Sequence, residues 1–147
     1  MALPSFGDND GQFPGTAGRG STVGPPPAND AERSGLAVLH AALLTVACVD
    51  GLGGGDRLVL DGSFLHEPLF APLVAALRRG RRTEITDEAA GVAAGAALLV
   101  GHATRTVPPH VGLDAVAPPH DLPDLAPYAA RWRALAAANI QPRGTPR

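Results

Sequence analysis

The run Leu58-Val59-Leu60, closed by Asp61-Gly62 and set between two stretches of helical periodicity, constrains the fold more than any other feature of the chain. A short continuous apolar run bounded by turn formers reads as a strand buried on both faces. Upstream, Leu36, Leu39, Leu43, Val46 and Val49 recur at three- and four-residue spacing, behind Asn29 or Asp30 as N-cap and with Glu32 in the first turn. That spacing predicts a long amphipathic helix, stopped by Gly51-Leu52-Gly53-Gly54-Gly55. Downstream, Ser63 is a candidate cap, Leu69, Leu73, Ala76 and Leu77 mark an inner helical face, and Gly80 is the stop. Pro68 suits the first turn of that helix, whereas Pro72 shifts its start or kinks it. A second short strand follows at Arg82-Thr83-Glu84-Ile85-Thr86, and Asp87 and Glu88 open a small-residue helix with Gly91 and Gly95 four apart. Helices alternating with strands predict an α/β fold with a parallel strand pair. Two strands do not make a stable sheet by themselves, so 58–60 calls for neighbours on both edges.

The flanks differ in character. Residues 1–29 are rich in Gly and Pro and read as an irregular segment lying against the body through Leu3, Phe6 and Phe13. The body is 30–103, and 104–123 is a Pro-rich connector carrying His110 and His120. Residues 124–140 predict a final helix with Leu125, Tyr128, Trp132 and Leu135 on one side, and 141–147 reads as a disordered tail.

Composition removes several kinds of chemistry. All twelve basic residues are Arg, so no lysine is present to form a Schiff base, act as a general base or serve a phosphate loop. A net charge of −2 gives no global field toward nucleic acid or an anionic membrane. The single cysteine, Cys48, cannot form an internal disulfide, fits a reducing compartment and reads as inert core. The first residues lack a basic region followed by an apolar run, so they are no signal peptide. The apolar stretches 36–49 and 89–101 read as too short and interrupted to span a bilayer, and the expectation is a soluble, cytoplasmic chain.

The candidate sites are few. A strand ending in Asp61-Gly62-Ser63 lets backbone approach a ligand beyond the carboxyl end of a sheet, with helix N–H donors beside it. On spacing alone the plainer account is an ordinary β-to-α turn capped by Ser63. Gly91 and Gly95 fit either a close ligand or tight packing, with packing the plainer account. The glycines at 51–55 follow a helix and precede a strand, the reverse of a phosphate loop's context. The Arg78-Arg79-Gly80-Arg81-Arg82 cluster lacks interleaved aromatics and reads as a solvated helix end. No His, Cys, Asp or Glu set has metal-ligand spacing, and no nucleophile has a sequence context.

Residues 37–101, through Asp61-Gly62-Ser63-Phe64 to Gly95-Ala96-Ala97, resemble the closing part of the FGGY family of carbohydrate kinases. The opening Ala2-Leu3-Pro4-Ser5-Phe6 and the late Tyr128-Ala129-Ala130-Arg131-Trp132 are similar to the flanks of a bacterial subgroup. The resemblance implies an incomplete ribonuclease-H-like (actin-like ATPase) domain over 30–103, helix-strand-helix-strand-helix, plus the C-terminal helix. It implies transfer of the ATP γ-phosphoryl group, with Mg²⁺, to a hydroxyl of a sugar or polyol. Asp61, Gly62, Ser63, Phe64 and Glu67 would line the adenosine pocket; no catalytic residue and no Mg²⁺ ligand is identified. The chain departs from the family in having Ser63 where many members have a second Gly, and Glu67 where many have Asn. A carboxylate at 67 would repel phosphate unless it points at ribose or solvent. The sugar site, catalytic aspartate and phosphate hairpins of the family have no counterpart here. The implied chain is therefore inactive alone and partnered by the missing N-terminal kinase half or another chain, with no nucleic-acid or membrane partner. The alternatives are a non-catalytic remnant or interaction module with an exposed strand edge, and a free-standing small-nucleotide binder.

Overall fold

A computed structural model describes residues 1–9, 11–86, 91–100, 102–104 and 112–140. The first helix, α1 (Asp30–Gly51), begins where Asn29 is extended and its side chain accepts from the Glu32 N–H at 2.9 Å. Glu32 reaches back to the Ala28 N–H at 2.9 Å, so donors on both sides of the cap are satisfied. The helix carries two apolar stripes. Val38, Ala42 and Val46 lie in one cluster with Leu60, Phe70, Ala71 and Val74. Leu43, flanked by Leu39, lies in a second cluster with Leu3, Phe13, Ala129, Trp132 and Ala136. The sequence stripe through Leu36 and Val49 described only part of this, because Val38 and the small Ala42 complete the inner face. By length and composition α1 could cross a bilayer. Here it is the central core helix, packed on one side by sheet and α2 and on the other by the N-terminal segment and α4.

The short strands β1 (Ala2–Leu3) and β2 (Ser21–Thr22) pair antiparallel within the segment read as irregular. Next, β3 (Arg57–Leu60) and β4 (Arg82–Thr86) pair in parallel with Leu60 opposite Ile85. A third strand, β5 (Leu113–Ala115), pairs antiparallel with β4, giving the order β3-β4-β5. It lies inside the stretch read as connector, and alternation could not reveal a three-residue strand among prolines. The strand β3 is an edge. Leu60 is buried and Leu58 packs beside it, but Val59, on the opposite face, is 40% exposed. Burial on both faces is thus not realised among the described residues.

Residues 63–66 form a 3₁₀ turn, and the second helix proper, α2 (Phe70–Leu77), starts later than Ser63 suggested. Pro72 then falls in its first turn, where its missing N–H has no helical partner to lose. The later start turns the buried face to Phe70, Ala71, Val74 and Ala75, while Leu69 is exposed. The third helix, α3 (Gly91–Val100), keeps Leu99 and Val100 on the surface. The last, α4 (Leu125–Ala138), buries Ala129, Trp132 and Ala136 against α1. Cys48 is exposed rather than core, since it falls outside both α1 stripes. Arg78 is 3% exposed rather than solvated, and its Nη2 donates to the Gly55 carbonyl at 2.7 Å. The readings for Asp87, Glu88, His110 and the tail 141–147 fall outside the described residues.

Candidate functional site

The carboxyl ends of β3 and β4 lie side by side because the strands are parallel and in register through Leu60 and Ile85. The next position on each strand is Asp61 and Thr86. One oxygen of Asp61, Oδ1, accepts from the Gly62 N–H at 2.7 Å and from the Thr86 hydroxyl at 3.0 Å. Gly62 has φ 106 and ψ −176, a backbone state that glycine alone adopts without strain. A Cβ at Gly62 would meet nothing within 4 Å, so the backbone faces open space. Ser63, Phe64 and Glu67 are exposed around the same turn, with Phe64 tilted against Phe70 at 5.2 Å between ring centroids.

The five residues named from the sequence therefore share one surface turn at the carboxyl end of a parallel pair, the place where open α/β sheets hold ligands. The helix N-terminus expected at Ser63 is not there, because the turn at 63–66 intervenes. Thr86 joins the site without having been read from the sequence. No local signal marks it, because only the parallel register sets the end of β4, one position past Ile85, beside Asp61. A cavity of about 360 Å³ lined by Leu39, Leu73, Leu122, Leu125 and Tyr128 contains none of the turn residues.

A paired carboxylate lies two residues before Thr86 on β4. Glu84 is 1% exposed and pairs with Arg57 and with Arg82, the latter at 2.7 Å. The Arg57 hydrogen bond holds the Glu84 carboxyl below its ordinary range, against a smaller opposing effect of burial. Among the described residues no group of three His, Cys, Asp or Glu could hold a metal ion.

A helix-flanked parallel pair with a glycine turn at its carboxyl edge defines an α/β protein. Residues 1–108 match the family described as carbohydrate kinase FGGY, C-terminal domain, and the chain belongs to that family. The crystal structure of a carbohydrate kinase from Novosphingobium aromaticivorans is similar to it, with TM-score 0.67 and 25% identity over 94% of this chain. The chain spans only 28% of that protein's length. No curated protein matches the sequence.

Proposed function

We propose that the chain is the C-terminal portion of an ATP-dependent carbohydrate kinase, supplying one wall of an adenosine pocket through Asp61, Gly62, Ser63, Phe64 and Glu67. The observation that carries this is the open, positive-φ Gly62 turn at the carboxyl end of the parallel pair, in a chain of the FGGY family. Phosphoryl transfer rests on positioning and on neutralising charge around the phosphates. The described residues offer a surface for a nucleoside but no cation cluster at that turn, since Arg57 and Arg82 are committed to Glu84 on β4. Sugar recognition and the catalytic base then belong to the rest of a complete kinase, with the substrate a sugar or polyol. The working compartment is the cytoplasm. Calorimetry with ADP tests the wall: measurable binding supports it, and no heat at millimolar ADP refutes it. In a coupled assay the 147-residue chain turns over no ATP with any pentulose or polyol, and clear turnover would overturn the division of labour.

A second reading, an interaction module, is favoured by the edge of β3, which no strand among the described residues covers, and by exposed Val59, Leu99 and Val100. Unpaired strand edges and exposed apolar side chains invite another chain. The readings part on ADP: a module without a nucleotide wall does not bind it.

A further inference from the structure

We infer that Thr86 is a positioning residue for the nucleotide-facing turn, latching Asp61 so that Gly62 holds its positive-φ backbone; this rests on the nucleotide reading above. Thr86 is the last residue of β4, paired with Leu113 of β5, and Asp61 lies one position past Leu60, where the β3 ladder has ended. Backbone pairing no longer holds the chain there. The Thr86 hydroxyl replaces it, donating at 3.0 Å to the same Oδ1 that accepts the Gly62 N–H at 2.7 Å. The carboxylate thus ties the first residue of the turn to the end of the neighbouring strand. Its charge strengthens both bonds, because hydrogen bonds to an ionised acceptor exceed neutral ones.

Two consequences follow for a ligand. Gly62 adopts a positive-φ conformation that is one of many open to glycine, so its surroundings must select it. The 3₁₀ turn that follows is held by the Leu65 N–H to the Gly62 carbonyl at 3.1 Å, so the orientation of Gly62 sets that of Ser63 and Phe64. The latch also draws the Asp61 carboxylate toward two protein donors. A nucleotide approaching the turn then meets glycine backbone beside a carboxylate whose charge is partly satisfied, instead of a freely rotating anion that would repel it.

The test measures amide exchange at Gly62 by NMR, the melting temperature, and ADP affinity by calorimetry, for the wild-type chain, Thr86→Val and Thr86→Ser. Thr86→Val is expected to speed Gly62 exchange about tenfold, the loss of one charge-assisted bond, with ADP affinity falling by a similar factor. Thr86→Ser keeps the hydroxyl and keeps wild-type exchange and affinity. The melting temperature stays near wild type in both, because the contact is exposed. Unchanged Gly62 exchange in Thr86→Val overturns the latch, as does equal loss in Thr86→Ser. Faster exchange with unaltered ADP affinity overturns the positioning role. If the wild-type chain takes up no ADP while exchange responds as stated, the latch stands and the nucleotide reading falls.

Discussion

Replacing Trp132 with Ala is expected to remove much of the stability of this chain. Trp132 is 1% exposed and is the largest fully buried side chain. It stands edge-on to Phe13 at 5.7 Å and to His40 at 6.3 Å between ring centroids. Its Nε1 donates to the Ala2 carbonyl at 2.7 Å, joining α4 to the first strand across 130 residues of sequence. Truncating a buried tryptophan to alanine costs about 3–5 kcal/mol through lost transfer energy and the cavity left behind. The lost hydrogen bond adds little, because His40 Nδ1 also lies 3.1 Å from the Ala2 carbonyl and keeps it partnered. A domain of this kind is stable by about 5–15 kcal/mol, so the variant loses between about a fifth and all of that. Trp132→Phe keeps a smaller aromatic ring and loses the donor, at about 1–2 kcal/mol. Urea unfolding followed by far-ultraviolet circular dichroism is the assay, since Trp132 is the sole tryptophan and its fluorescence disappears with it. A loss below about 1 kcal/mol for Trp132→Ala, at an unchanged urea slope, would refute the reasoning that α4 and the N-terminal segment share one core.

Acid should weaken the fold in two windows. Burial lowers the His40 pKa, outweighing its bond to the Ala2 carbonyl, so stability is full above pH 6.5 and declines as pH falls below it, where the unfolded chain takes the proton first. The Glu84 pKa is also lowered, chiefly by Arg57, so a further loss begins below pH 4.5; Glu84→Gln should abolish that second decline in urea midpoints measured against pH. Gly62→Ala should cost about 1–3 kcal/mol by backbone strain alone, as its Cβ meets open space; an unchanged melting curve would show that Gly62 does not hold φ 106. Gly35 sits in α1, and a methyl group there would meet no atom within 4 Å, so Gly35→Ala should stabilise by about 0.5–1 kcal/mol; a destabilised variant would show that the space is taken.

The sequence by itself determined the elements whose cause is local. Periodicity and Asn29 set α1, the apolar run and its glycine set β3 and the turn, and Arg82–Thr86 was legible as a strand. The family was legible too, because the order of elements around Asp61-Gly62-Ser63 is a property of the chain alone. Tertiary structure decided what depends on neighbours distant in sequence. The three residues of β5 become a strand only by lying against β4, since no local preference marks them. Arg78 is buried because the loop at Gly55 folds over it, and Cys48 is exposed because two separate clusters claim the other sides of α1. Thr86 enters the site for the same reason: parallel pairing sets it beside Asp61, 25 residues away along the chain. Spacing within one segment fixes which face is apolar, but only packing between segments fixes what that face meets.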